Sequence, residues 1–233
     1  GFLQVRTGAH GSFAREDFTV ARVKRAIFEQ STLGAIYTRR ATAAGPDDVA
    51  PPDRHTVGVD LDYATSRLFG DQNFEMEAFV VWNSDPTPED EDGEGDAASG
   101  ASEADPGLNE LTARGFRFNF PNDLWQAHVS YREFGTAYDP AVGFVRRNDF
   151  RRVEPRLAWR PRPAFLESVR QLTIGGQFRY LESLEDDVVE ERRWDLQPLG
   201  VEFESGDRLT LRASHLFEYL DRGFEVAEGV PVL

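Results

Sequence analysis

The chain has 233 residues, no cysteine and a formal net charge of −15. Without cysteine it cannot form disulfides or cysteine-bound zinc or iron–sulfur sites, and so large a negative charge argues against a general nucleic-acid binder, which needs a basic face for phosphates. The mean hydropathy is negative, and the longest apolar run, 78–82, is far shorter than the ~20 residues of a membrane-spanning helix.

Apolar and polar residues alternate along most of the chain, a pattern typical of strands with two different faces. In 56–63, for example, Val57, Val59, Leu61 and Tyr63 alternate with polar residues and a glycine. Weaker strands are predicted at 1–7, 18–27 and 32–40, and stronger ones at 56–63, 73–82, 115–120, 125–132, 153–160, 172–180, 194–203 and 209–219. The pattern predicts about eleven strands and no helix.

The alternation changes phase at Pro198, within the strand predicted at 194–203. A phase change of one residue inside a strand is typical of a β-bulge, whereas proline is also found on edge strands. The sequence therefore predicts a bulge or an edge position at Pro198.

The predicted connections alternate between long and short. Long ones lie near 8–16, 42–54, 83–108, 135–152 and 182–190, and short ones near 28–31, 65–72, 121–123, 161–168 and 204–207. Outer-membrane barrels have short turns at one end and longer loops at the other, and a soluble Greek-key sandwich has no reason for such alternation.

These patterns together predict an all-β fold, an antiparallel up-and-down transmembrane β-barrel in which 1–233 is a single barrel domain or part of a larger barrel. No signal peptide opens the sequence, so we expect a mature fragment or an excised domain.

Aromatic residues fall near the predicted strand ends, where amphipathic rings would meet lipid headgroups as two girdles. At the long-loop ends they are Tyr37, Trp82, Tyr131, Tyr180 and Tyr219, and at the short-turn ends Tyr63, Trp125 and Trp159. The alternative is that these rings fill the core of a β-sandwich.

Three stretches of the sequence carry a resemblance to a known family. They are FTVARVKR (18–25), STLGAIYT (31–38) and YDPAVGFVRRNDFRR (138–152). The chain resembles, over nearly its whole length, the C-terminal barrel region of uncharacterised bacterial outer-membrane proteins, whose longer members carry a family-9-like carbohydrate-binding domain ahead of the barrel. It departs from them in a longer acidic insert. The resemblance implies a β-barrel in the outer membrane and no established activity, and the glycan role of the carbohydrate-binding domain does not transfer to this chain.

The acidic insert, 84–107, is rich in Asp and Glu and has the composition of a solvated, flexible outer loop. Within it Asp90, Asp92, Glu94 and Asp96 alternate beside glycines, a weak pattern for an oxygen-only calcium site. The spacing of an EF-hand is missing, so the sequence predicts no metal site.

The loop at 135–152 is rich in arginine and holds the candidate ligand, lumen or rim residues Arg146, Arg147, Asp149, Arg151 and Arg152. These arginines would bind phosphates of lipopolysaccharide or line a constriction for anionic solutes. The structural alternative is that they pair with nearby acids and pin the loop to the barrel wall.

His128 and Ser130 share one strand face, as histidine and serine do in outer-membrane phospholipases. No third residue that would orient His128 and no oxyanion hole can be identified, so an esterase or phospholipase remains a minor alternative. The sequence predicts no enzymatic activity, no catalytic residue and no cofactor.

Charges of both signs would lie on the polar faces of the strands and either line a water-filled channel or pair across a narrow lumen. They are Asp60, Asp62, Glu75, Glu77, Arg117, Arg132, Arg156, Arg160, Arg179, Arg212 and Glu218. The leading hypothesis is an outer-membrane barrel that acts as a channel or a membrane anchor linked to glycan handling. Its expected partners are outer-membrane lipid and, as candidates, lipopolysaccharide or a glycan. The rival from another class is a soluble β-sandwich binding module.

Overall fold

A computed structural model shows a chain built of antiparallel β-strands. The structure describes residues 1–11, 13–44, 50–84 and 107–220, and the backbone of two further strands at 224–227 and 230–232. In these residues there is no helix long and apolar enough to cross a membrane.

Eleven strands form one sheet in which each strand pairs with its neighbours in the chain, from β1 at one edge to β11 at the other. They are β1 (Phe2–Arg6), β2 (Glu16–Ile27), β3 (Ser31–Thr42), β4 (Arg54–Leu68), β5 (Gln72–Asn83), β6 (Thr112–Pro121), β7 (Trp125–Phe134), β8 (Phe150–Trp159), β9 (Val169–Glu182), β10 (Val189–Phe203) and β11 (Arg208–Glu218). The predicted all-β, antiparallel up-and-down fold is confirmed, and the described strands leave the sheet open, as expected of part of a barrel. A separate pair, β12 (Phe224–Ala227) and β13 (Val230–Val232), was not predicted.

The alternation of connection lengths is confirmed over the first eight strands and fails beyond them. The connection at 160–168 is longer than that at 183–188, although the sequence pattern predicts the reverse. The difference arises at the second connection, because β9 extends to Glu182 and β10 already begins at Val189. A hydrogen bond of 3.0 Å from Ser183 N to Val188 O closes this shortened turn.

The chain divides into two compact units. The first unit comprises Gly1–Thr65, Met76–Phe116 and Glu133–Asp149, and the second comprises Ser66–Glu75, Arg117–Arg132 and Phe150–Leu233. Strands β4 to β7 each contribute residues to both units. All the buried hydrophobic side chains of the described residues belong to the first unit: Leu111, Ala113, Tyr138 and Ala141.

A β-bulge at Pro198 resets the phase of β10, as the sequence predicts. Leu196 pairs with Ala213, but the next pair toward β11 is Leu199 with Leu211, so β10 holds one extra residue. Because of the bulge, Leu199 lies on the same face as Leu196. The alternative of an edge position is wrong, since β10 lies between β9 and β11.

Deleting Pro198 should therefore be tolerated. The deletion removes the extra residue and leaves Leu199 opposite Leu211 on the same face, so the refolded protein should keep its thermal unfolding midpoint within a few degrees, about the effect of 1 kcal/mol or less. Deleting Gln177 from the regular strand β9 is the matched control, because it turns part of that strand to the wrong face and should abolish folding. Circular dichroism on heating measures both variants, and loss of the fold on deleting Pro198 would contradict the bulge.

Candidate functional site

On the polar face of the first unit, ion pairs join β2 to β4 across β3. Lys24 Nζ lies 3.0 Å from Asp62 Oδ2, and the same carboxylate accepts a hydrogen bond of 3.0 Å from the Thr32 hydroxyl. Arg22 pairs with Asp60 in the same manner. The carboxylates therefore have fixed partners on the neighbouring strands, which orders this face.

Gly34 of β3 makes room for the pair between Arg22 and Asp60. A Cβ atom at position 34 would lie 2.6 Å from Arg22 Nη2 and 2.7 Å from both carboxylate oxygens of Asp60. A larger residue would therefore displace the ion pair that crosses above it.

The long connection at 135–149 packs against the start of β4 and the end of β5, within the first unit. Asp139 N donates to Asn83 Oδ1 at 3.1 Å, and the Asn83 side chain is 1 % exposed. Arg54 donates to Asp139 O at 2.8 Å and also pairs with the Asp139 carboxylate. Ala141 N donates to Thr56 Oγ1 at 2.7 Å. Since Arg54 and Thr56 share a face with Asp60 by alternation, the connection covers the polar face of β4.

Burial of Tyr138 anchors the same connection. Its ring packs edge-on against Phe134 with a centroid distance of 5.6 Å, and both Tyr138 and Ala141 are buried. Removal of the ring from water raises the pKa of Tyr138, and the negative charge of Asp139 raises it further. Asn148 Nδ2 closes the connection by donating to Thr136 O at 2.7 Å.

The predicted arginine-rich loop is shorter in the structure, because β8 begins at Phe150. Arg146 and Arg147 are exposed residues of the loop, and Asp149 has a positive φ of 55°. Arg151 and Arg152 are strand residues of the second unit. The five candidates therefore divide between the two units.

The predicted pairing of arginines with nearby acids is confirmed for Arg151 and Arg152. Arg151 Nη1 lies 2.7 Å from Glu182 Oε1, and Arg152 Nε lies 3.2 Å from Glu154 Oε2. The loop itself is held by Arg54, which the sequence analysis did not single out.

A hydrogen-bonded row crosses the polar face of the second unit. Arg156 Nη2 donates to Gln177 Oε1 at 3.0 Å, and Gln177 Nε2 donates to Asp195 Oδ2 at 2.9 Å. Asp195 also accepts bonds from Arg193 Nε at 2.8 Å and from the Ser214 hydroxyl at 2.7 Å. This row links β8, β9, β10 and β11.

His128 and Ser130 do not form a site for acyl transfer in the structure. The Ser130 side chain is buried, whereas a nucleophile must be open to its substrate. His128 lines a small cavity of about 150 Å³ with Glu154 and Arg179, and Glu154 is held by Arg179 at 2.7 Å.

The predicted girdle aromatics lie on the apolar faces, and two of them border the short turns. Trp125 and Trp159 stack with centroids 6.0 Å apart, next to a hydrogen bond of 2.8 Å between Arg162 Nη2 and Asp123 Oδ1. That bond holds the pKa of Asp123 below its usual value and raises the pKa of Arg162.

Other girdle candidates also have polar partners for their hydroxyls. Tyr37 OH lies 2.9 Å from His55 Nδ1, and Tyr180 OH donates to Glu182 at 2.7 Å. Tyr37 and Tyr63 lie further from the strand ends than predicted, because β3 and β4 extend beyond the predicted bounds. Trp82, Tyr131 and Tyr219 are near the long-connection ends of β5, β7 and β11.

The weak calcium candidates Asp90, Asp92, Glu94 and Asp96 lie outside the described residues. Among the residues that are described, no group of three or more His, Asp or Glu side chains could hold a metal ion.

Comparison with known proteins gives no assignment: no protein-family model, no curated protein and no solved structure matches this chain. The resemblance stated from the sequence therefore stays an expectation.

Four residues that organise the polar face were not predicted from the sequence: Gly34, Arg54, Thr56 and Asn83. Thr56 and Asn83 continue the alternation of β4 and β5 on that face, which was a usable signal. Nothing local in the sequence marks them as docking points, since the bond from Ala141 to Thr56 joins residues 85 apart.

Replacing Gly34 with valine should destabilise the protein. The new side chain displaces Arg22 from Asp60, at a cost of about 0.5–1 kcal/mol in the free energy of unfolding. Ala35→Val is the control, because Ala35 is exposed on the opposite face and a substitution there should change the free energy by less than about 0.5 kcal/mol. Urea unfolding of the refolded protein measures both, and equal effects would contradict the crossing ion pair.

Replacing Asn83 with alanine should release the 135–149 connection. The Asp139 N–H then loses its acceptor, at a cost of about 1–3 kcal/mol, so tryptic cleavage after Arg146 and Arg147 should become about 5- to 100-fold faster. Asn119→Ala is the control, since Asn119 donates to Glu75 instead. Unchanged cleavage in Asn83→Ala would show that Asn83 does not hold the connection.

Docking of the connection should also weaken at high pH. The pKa of Tyr138 is higher in the docked state than in the undocked state, so its contribution is fully present below about pH 10 and is lost as the pH rises through the docked pKa. The difference in tyrosinate absorbance between the wild type and Tyr138→Phe reports this one titration. A midpoint at or below the ordinary value of about 10 would contradict the burial of the ring.

Proposed function

We propose that this chain is part of an outer-membrane β-barrel that acts as a channel, with its apolar face against lipid and its polar face lining a water-filled path. The observation that carries the proposal is an inverted pattern of burial. Leaving glycines aside, nine of the buried described residues are polar or charged and only four are hydrophobic.

Large hydrophobic residues are exposed on the sheet in both units. Val59 is 48 % exposed in the first unit, and Leu157 and Leu196 are 53 % and 48 % exposed in the second. A soluble protein would bury such side chains, because each Å² of apolar surface left in water costs about 25 cal/mol. A lipid environment removes that cost, which supports a membrane location over a soluble β-sandwich.

Along β3 and β4 of the first unit, the side chains of the apolar face change from charged to aromatic to aliphatic, as expected of a face that spans a membrane. The cross-strand pairs run from Arg39–His55 through Tyr37–Val57 and Ala35–Val59 to Leu33–Leu61. Val57 to Tyr63 covers roughly 20 Å along the strand at ~3.4 Å per residue, which at a tilt of about 40° spans roughly 15 Å of the ~25 Å apolar band of outer-membrane barrels.

Ion pairs border that band at the ends of the strands next to the long connections. Arg39 Nε lies 2.8 Å from Asp53 Oδ2, and Arg114 Nη2 lies 2.6 Å from Glu133 Oε1. Arg39 and Asp53 are each 37 % exposed, as suits the headgroup region, whereas the Glu133 side chain is only 7 % exposed and is paired with Arg114.

The second unit repeats the order on β8 and β9. The cross-strand pairs there are Arg151–Glu182, Val153–Tyr180, Leu157–Gly176 and Trp159–Ile174. The order along these strands is thus an ion pair, then an aromatic ring, then aliphatic side chains and finally a tryptophan. This order matches the girdles expected of a barrel that spans a bilayer.

A channel is favoured over a simple membrane anchor by the polar face of the second unit. Arg156 and Arg193 are exposed there, and exposed charges need water around them. A barrel that served only as an anchor would have no need of a hydrated, charged surface on its inner side.

The membrane location is tested by placing arginine on each face. In a bilayer, Val59→Arg and Leu196→Arg should each cost about 2–4 kcal/mol, while Thr210→Arg on the polar face should cost little. The free energy of unfolding is measured in liposomes. If the protein folds in water with these residues exposed, all three changes should stay within about ±0.5 kcal/mol, and that result would overturn the proposal.

A further inference from the structure

The polar face of β8 to β11 carries arginines that have no carboxylate partner among the described residues. In the first unit Arg22, Lys24, Arg40 and Arg54 all pair with acids. In the second unit Arg156 donates only to the neutral Gln177, and Arg212 forms no ion pair within the described part of the chain. This is unexpected in a sequence with 41 acidic and 26 basic residues.

The row of hydrogen bonds orients Arg156 without neutralising it. Gln177 accepts from Arg156 and donates to Asp195, so the amide holds the guanidinium in place but brings no charge. The charge of Asp195 is offset by Arg193, whose Nε and Nη2 donate at 2.8 and 3.2 Å. A guanidinium has five N–H donors, and Arg156 therefore keeps donors for a ligand.

The two arginines line one depression of about 610 Å³ in the second unit, together with the paired Arg193 and Asp195 and with Leu157 and Leu196. Gly175 and Ala158 leave space in its lining, and Gly175 packs so closely on β8 that a Cβ atom would lie 2.6 Å from Leu157 O. The volume is within the range of small-molecule sites, roughly 300–1,000 Å³.

We propose that this depression binds the oxyanion group of a small solute, a phosphate or a carboxylate, through Arg156 and Arg212. Arginine matches both groups because its N–H donors can bind two oxygens at once. This gives the proposed channel a solute class. It rests on the proposed function, because a solute reaches the arginines only if the polar face lines a water-filled path. A lipid headgroup is not the expected ligand, since both arginines lie on the face opposite the exposed leucines.

Calorimetric titration of the detergent-solubilised protein at low salt, with inorganic phosphate and with acetate, tests the site. We expect both anions to bind, and Arg156→Gln or Arg212→Gln to weaken binding about tenfold each, the loss expected for a charge-assisted hydrogen bond. Arg192→Gln is the matched control, because Arg192 lies on the opposite face of β10, over the ring of Phe217 at 5.0 Å. It removes the same charge and should leave binding unchanged.

Absence of binding, or equal weakening by Arg192→Gln, would overturn the inference. So would binding of phosphatidylglycerol in mixed micelles without binding of free phosphate, since that result assigns the arginines to lipid. The titration does not depend on bilayer insertion, so its failure is distinguishable from failure of the membrane location, which the Val59→Arg measurement tests.

Discussion

The structure depends on the separation of each strand into two faces of opposite character. Hydrogen bonds between neighbouring strands satisfy the backbone, so the side chains decide the environment on each side of the sheet. The polar side is organised by ion pairs and hydrogen bonds within the protein. The apolar side has little to pack against among the described residues, and Leu157 and Val59 stay about half exposed. The membrane location proposed above would place hydrocarbon on that side and so resolve the imbalance.

Order on the polar side comes from ion pairs and hydrogen bonds that each tie three or more strands together. Arg22 reaches Asp60 across β3 because Gly34 leaves the space. In the second unit, Gln177 accepts a hydrogen bond from Arg156 and donates one to Asp195. The first arrangement neutralises its charges, and the second leaves a positive excess among the described residues.

The strands and the bulge were predictable because both follow from alternation, which is a local property of the sequence. Pro198 and the residues around it suffice to place the phase change of β10. The docking of the 135–149 connection was not predictable, because it depends on bonds such as that from Asp139 to Asn83, which joins residues 56 apart. The lack of a carboxylate partner for Arg156 among the described residues was equally unpredictable, since it depends on which strand lies alongside β8. The relative lengths of 160–168 and 183–188 were predicted wrongly because β9 and β10 extend further toward their shared turn than the alternation of apolar residues indicates.

Fluorescence quenching tests the central claim most directly, because all four tryptophans lie on the apolar face: Trp82, Trp125, Trp159 and Trp194. In liposomes, phospholipids with brominated acyl chains should quench most of the emission, and aqueous iodide should quench little of it. Strong quenching by iodide with no effect of the brominated lipids would contradict the account, because it would mean that the apolar face contacts water or protein instead of lipid.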